Sequence, residues 1–255
     1  MDPKRPESRK LGVSVDRSDT ELPFAPHEVE AFWSTVASGE YEKANERVHD
    51  THVQRFDISI PRLEIARQGR LLNVWSRQGE AIPYIRARFP DIDLENAEVS
   101  GVMLDQARQR FPLERFRQTD LQTLEYPDAY FDAVLSLEML EHSPSPRRIL
   151  REFHRVLKPG GQLVLTCPTA VAEVHLWIAD HLMGNHGEGP HRFPSTRLVK
   201  KMLREAGMRL VGHRSTLFIP EELGVIHRLD PLLEKLFQWF PASEFGIRQL
   251  YEARK

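Results

Sequence analysis

The chain has 255 residues, a formal net charge of −2, 40% hydrophobic residues and 28% charged residues. That size and balance allow one sizeable α/β core with additions and exclude the overall basic field that draws a protein to nucleic acid. The one cysteine, Cys167, excludes an internal disulfide and a cysteine-rich metal site, which fits a reducing, cytoplasmic setting.

No apolar run reaches the roughly 20 residues that a membrane-crossing helix needs. Residues 1–23 lack the apolar stretch of a signal peptide, mix both charge signs and are poor in apolar residues, so a disordered tail is expected there. Residues 24–69 read as a helical cap. Val29, Phe32, Trp33, Val36 and Ala37 recur at helical spacing until Gly39. A second helix is predicted over 41–48 and a third over 58–68, stopped by Gly69. The pattern then alternates. Strands are predicted at Arg70–Val74, Leu94–Val99, Phe116–Thr119, Phe131–Leu137 and Gln162–Cys167. Helices are predicted at Ala81–Arg88, Val102–Arg110 and Arg147–Val156, the last closed by Lys158-Pro159-Gly160-Gly161. Pro83 is tolerable in a first turn. Phe131–Leu137 (FDAVLSL) is apolar throughout, as a strand buried on both faces should be. Such alternation implies parallel strands with right-handed crossovers, a doubly wound sheet. Residues 169–193 form a histidine-rich insertion that reads as a lid, because it leaves the carboxyl end of a strand. A helix at Ser195–Ala206 and strands at Met208–Leu217 and Gln249–Lys255 close the chain, with helix and loop between the two strands.

The stretch FRQTDLQTLEYPDAYFDAVLSLEMLEHSPSPRRILREFHRVLKPGGQLVLTCP, residues 116–168, resembles the second half of the class I S-adenosylmethionine-dependent methyltransferases, of the type that acts on small molecules. The resemblance covers about residues 70–220 and the last strand. It implies a Rossmann-like, seven-stranded, mostly parallel sheet with an antiparallel C-terminal strand pair over 70–255. It also implies S-adenosylmethionine as cofactor, a small-molecule or lipid-like acceptor, and N-terminal helices over the active-site mouth. Oligomeric state is not readable.

Ligands of an open parallel sheet sit at the carboxyl ends of its strands. In the family, the first such loop has an acid and then a GxGxG turn whose glycines let the cofactor's amino-acid end approach the backbone. Here Asn73 stands for the acid, Trp75 and Arg77 for the first two glycines, and only Gly79 remains. Asn73 keeps hydrogen-bonding capacity but no charge. Arg77 either pairs with the cofactor carboxylate or, with Trp75, plugs the pocket. Both readings stand. After the second strand, Glu98 matches the ribose-binding acid, followed by Val99. Its distance of about 19 residues from Gly79 agrees with the usual turn-to-acid spacing. Asp120 matches the adenine-side acid, with the Leu121 backbone next to the ring, although an aspartate opening a turn is also common. Leu137-Glu138-Met139-Leu140-Glu141-His142 matches the family's segment after the fourth strand. Leu137 lines the cofactor pocket there, and Glu138 and His142 are the catalytic candidates. His142 serves either as a general base or to orient its loop.

His175, His181, His186 and His191, with Asp180 and Glu188, match no trusted zinc spacing, so no metal is expected. Phe32, Trp33, Trp177 and Trp239 read as packing residues, and Cys167 as inert core. The degenerate first loop also supports a second reading, a binding or scaffolding protein of methyltransferase type that does not catalyse.

Overall fold

The computed structural model describes residues 24–37, 49–170, 172, 189–219, 225–226, 228–237 and 246–255. The expected tail, the expected helix over 41–48, most of the 169–193 insertion, and Trp177 and Trp239 lie outside the described residues.

Seven strands form one sheet: β1 (Arg70–Val74), β2 (Asp93–Glu98), β3 (Arg115–Gln118), β4 (Phe131–Leu137), β5 (Leu157–Pro168), β6 (Arg209–Thr216) and β7 (Arg248–Arg254), in the order β3-β2-β1-β4-β5-β7-β6. The first five are parallel, and β7 lies antiparallel between β5 and β6. The described helices are α1 (Pro26–Val36), α2 (His49–Ser59), α3 (Ile82–Arg88), α4 (Gly101–Arg110), α5 (Pro146–Val156), α6 (Thr196–Glu205) and α7 (Asp230–Phe237). The doubly wound, seven-stranded sheet with an antiparallel C-terminal pair is the architecture expected from the sequence.

Side chains alternate across the strands with the period of two that a pleated sheet imposes. Leu72, Val134 and Leu163 face one core with Val29, Trp33, Met103, Ile149 and Leu203. Leu71, Leu135 and Val164 face the other, with Phe56, Ile60, Ile82 and Ile85. Helices α1, α4, α5 and α6 therefore cover one face, and α2 and α3 the other.

Two expected boundaries shift. The helix expected over 58–68 is the end of α2, which stops at Ser59. Pro61 restricts the chain to one 3₁₀ turn at Ile60–Arg62, and Leu63 is extended. The Lys158–Gly161 stop lies inside β5, which starts at Leu157 opposite Phe131 and is offset before Ala133 pairs with Gln162.

Candidate active site

Four non-glycine residues hold left-handed backbone at the carboxyl ends of β1, β3 and β4: Trp75 (φ 67°), Arg77 (φ 53°), Leu121 (φ 61°) and Glu138 (φ 52°). Left-handed backbone costs a residue with a Cβ about 1–2 kcal/mol. Strain of this kind gathers where a site dictates the backbone. These residues ring the point between β1 and β4 where the strand order reverses, the usual ligand crevice of such sheets.

The turn after β1 is fixed by backbone. Trp75 and Ser76 N–H groups donate to the Ala97 carbonyl at 2.8 and 3.0 Å, and the Gly79 N–H to the Ser76 carbonyl at 2.9 Å. Glu98 ends β2 fully buried. Its Oε2 accepts the Arg77 N–H at 2.7 Å, and its Oε1 accepts the N–H groups of Val99 at 2.9 Å and Ser100 at 3.0 Å. Burial pushes the Glu98 carboxyl up from its ordinary value, against the Arg77 charge and the three donors. Glu98 thus anchors the turn that replaces the glycine loop. Asn73 donates across the sheet to Asn96 Oδ1 at 3.0 Å, so its amide serves β2. Gly79 has φ 87°, and an added Cβ would sit 2.8 Å from the Phe111 ring. Local packing alone requires this glycine.

Trp75 and Arg77 point into one buried cluster with Trp33 of α1 and His142. The Arg77 guanidinium carbon lies 3.5 Å from the Trp33 ring centroid and 4.1 Å from that of Trp75. The two indoles are nearly perpendicular, at 84° with centroids 5.7 Å apart. The His142 ring stacks on Trp75 at 5.3 Å and 14° and meets Trp33 edge-on at 5.5 Å. Trp33 was expected only to pack, and here its ring also covers a cation. The signal that would have found it was present in the sequence: a tryptophan on the buried face of the first helix, and an arginine where the family keeps glycine. α1 is held over this region by Ser34 Oγ, 2.9 Å from Ser100 Oγ, and by Gln106 Nε2, which donates to the Ala37 carbonyl at 3.1 Å.

The second catalytic candidate is not free. Glu138 Oε1 accepts from Arg248 Nε at 2.5 Å and Oε2 from Arg55 Nη1 at 3.1 Å. Burial would raise its carboxyl, but Arg248 and Arg55 outweigh burial and hold it at about 2. Arg248 also donates to the Thr51 carbonyl and to Gln54 Oε1. His52 lies against Arg55, and burial followed by the Arg55 charge lowers it to about 2. Arg55, His52 and Arg248 escaped the sequence reading because they come from α2 and β7, far from Glu138 in sequence and within no motif.

His142 is buried on the turn after β4. Its Nδ1 lies 3.0 Å from the Pro190 carbonyl, which can only accept, so Nδ1 carries the proton and Nε2 is bare. Burial, then the Arg77 charge, lowers its pKa well below the ordinary value. Leu137, the last residue of β4, is buried in the core beneath α2 and α3. Asp120 is exposed, and its Oδ1 accepts from the N–H groups of Gln122 and Thr123, each at 2.8 Å. This carboxylate closes a turn, and the Leu121 carbonyl accepts from Ser143 Oγ at 3.1 Å. Of the histidine set, His191 is described, 6.2 Å from His142 ring to ring. His175, His181, His186, Asp180 and Glu188 lie outside the described residues. Cys167 is buried, and burial raises its thiol well above the ordinary value, as inert core requires.

The β1–α3 turn holds left-handed backbone at Trp75 and Arg77, the positions matched to the family's first two glycines. Trp75 Nε1 and Ser76 Oγ are buried in it without a hydrogen-bond partner among the described residues. The side chains, as arranged, do not fit the amino-acid end of S-adenosylmethionine. Trp75 and Arg77 are buried where the resemblance puts that end, and Glu98 is shut beneath them.

Residues 72–165 match the family model described as "Methyltransferase domain". The chain is 29% identical over 136 residues to a phosphatidylethanolamine N-methyltransferase of Cereibacter sphaeroides, covering 48% of this chain and 66% of the relative. It is 30% identical over 188 residues to the 27-O-demethylrifamycin SV methyltransferase of Amycolatopsis mediterranei, covering 70% of this chain and 68% of the relative. It therefore spans about two thirds of the length of these relatives. Among solved structures, the cyclase SpnF superposes with a TM-score of 0.60 at 19% identity, covering 93% of this chain and 99% of that one.

Proposed function

Because this chain belongs to the class I S-adenosylmethionine-dependent methyltransferase family, we propose that it methylates a small-molecule or lipid-like acceptor. S-adenosylmethionine, the cofactor of the family, supplies an activated methyl group when bound. One observation carries the reading. The left-handed residues Trp75, Arg77, Leu121 and Glu138 and the buried Glu98 all stand at the carboxyl edge of the parallel strands, whose order reverses between β1 and β4. The phosphatidylethanolamine and rifamycin activities named for the relatives support an acceptor in the small-molecule or lipid class.

In this reading Glu98, Val99, Asp120 and Leu121 lie along the nucleoside with Leu137 beside them, and the 75–79 turn meets the amino-acid end only once the Trp75 and Arg77 side chains withdraw from its place. His142, held neutral with Nε2 bare, accepts a hydrogen bond from the acceptor. Glu138, occupied by two arginines, positions the loop after β4 and takes up no proton near neutrality. The described parts of the cap and of the insertion, α1, α2 and residues 189–193, border the acceptor side.

The closed packing of Arg77 against Trp33 and Trp75 favours a second reading, a binding or scaffolding protein that has given up transfer. The same fold also carries a protein named a cyclase, so fold alone does not decide the reaction. Calorimetry with S-adenosylhomocysteine separates the readings. Micromolar binding, lost in Glu98→Ala and weakened in Asp120→Ala, together with methyl transfer to any acceptor, supports the enzyme. Absence of binding at millimolar ligand sinks it.

A further inference from the structure

We propose that the corner between the Trp33 and Trp75 indoles is a subsite for a small organic cation, which the chain fills with its own Arg77 guanidinium. Two nearly perpendicular indoles with centroids 5.7 Å apart, and His142 stacked on Trp75, form an aromatic corner. A cation is attracted by the negative face of each ring, most strongly by tryptophan and most strongly when desolvated. Arg77 meets both faces within 4.1 Å, in a place where it and both indoles are buried. Two carboxyl groups lie next to residues of the corner. Glu98 lies under the turn and accepts the Arg77 N–H, and Glu141 is buried with its Oε1 3.9 Å from His142 Nε2.

Arg77 reaches the corner only by holding φ 53° next to Trp75 at φ 67°, a backbone state that residues with a Cβ rarely keep without compensation. The guanidinium is therefore an occupant on a strained tether. An external cation competes with a group at high effective concentration, so the intact chain binds such a ligand weakly. A change that withdraws Arg77 opens the subsite. The face of α1 that carries Trp33 is one wall of the corner.

Two sources could supply the cation: the sulfonium of the cofactor, under the proposed function, or an ammonium group on the acceptor. The test measures binding by calorimetry to wild type, Arg77→Gly and the double variant Arg77→Gly/Trp33→Leu. Glycine suits the left-handed backbone, so Arg77→Gly retains the turn, and Arg77→Gln serves as a second variant. One arm compares S-adenosylmethionine with S-adenosylhomocysteine, which keeps the amino-acid end and lacks only the sulfonium charge; the other compares choline with its uncharged tert-butyl analogue. The expected result is a gain of about tenfold or more for a charged ligand in Arg77→Gly and Arg77→Gln, no gain for its neutral counterpart, and loss of the gain in the double variant. A gain for S-adenosylmethionine assigns the corner to the cofactor, and a gain for choline assigns it to the acceptor. Equal gains for charged and neutral ligands, or none in either single variant, overturn the proposal. If choline gains while neither adenosyl ligand binds any variant, the methyltransferase reading fails and the subsite stands. If both adenosyl ligands bind equally in all variants and choline does not bind, the subsite fails and the methyltransferase reading stands.

Discussion

Two closed clusters flank the carboxyl end of β4, and they are held by opposite means. On one side Arg77 lies against the faces of Trp33 and Trp75 with His142 stacked behind, a cluster joined by ring faces and sealed by α1. On the other, Glu138 is gripped by Arg55 and Arg248, which also draw α2 onto β7 through Thr51 and Gln54. Ring contacts are tolerant of small shifts and here depend on pH through His142. A buried ion pair is directional, and removing one partner strands the other charge. The comparison teaches that the side matching the family's cofactor loop is built to yield, while the side after β4 is built to stay.

The largest expected effect tests the rigid side. Glu138→Gln leaves two buried arginines without their carboxylate and should cost about 3–5 kcal/mol, read from urea unfolding midpoints. A loss below about 1 kcal/mol would put this pair with exposed salt bridges and erase the contrast. Next comes Trp33→Ala, expected to cost about 3 kcal/mol through the cavity it leaves, with little change between low and high salt. A strong salt dependence would show that charge rather than ring packing holds α1.

Acid should separate the two sides further. Burial and Arg55 hold His52 down at about 2, and burial also lowers His142. The unfolded chain thus takes up protons below roughly pH 6.5 that the folded chain refuses, and stability falls as pH drops through that range. Glu138, held at about 2 against an ordinary 4.5, contributes stability above its ordinary value that is lost as pH falls toward 2. His52→Gln should flatten the upper part of the stability curve by up to about 1.4 kcal/mol per pH unit, and Glu138→Gln the lower part. Unchanged slopes in both variants would show that these groups titrate normally. The smallest effect belongs to the yielding side. Arg77→Gly loses a cation–ring contact of about 1–2 kcal/mol and relieves left-handed strain of about 1–2 kcal/mol, so its stability should stay within about 1 kcal/mol of wild type. A larger loss in thermal unfolding would mean that Arg77 supports the fold.

Much of the architecture was legible because it rests on local pattern. Phe131–Leu137 is an unbroken apolar run, and it is β4 with the same ends. The order of alternating elements sufficed for the parallel core, and the resemblance supplied the antiparallel pair. Pro61 was the local signal that the expected 58–68 helix overrode. In the candidate site, the residues after each strand were found because position along a strand places them at one edge. What those residues do there was less legible. Asn73 turns to Asn96, Asp120 closes its own turn, and Gly79 serves Phe111. Arg55 and Arg248 carry no sequence signal, because their meaning comes from a carboxylate that only the folded sheet brings to them.

The position of β7 has a consequence for the order in which the chain can fold. Among the described residues β6 pairs with β7 alone, and β7 enters between β5 and β6. During synthesis from the N-terminus, β6 therefore emerges before the strand that ties it to the sheet. Arg248 at the start of β7 meets Gln54 across 194 residues of sequence, a closure of high contact order that forms slowly. The parallel core can assemble first. The last strand then completes the sheet and locks α2 in one late step, so refolding monitored at α2 and at β6 should share a slow phase that the parallel core lacks.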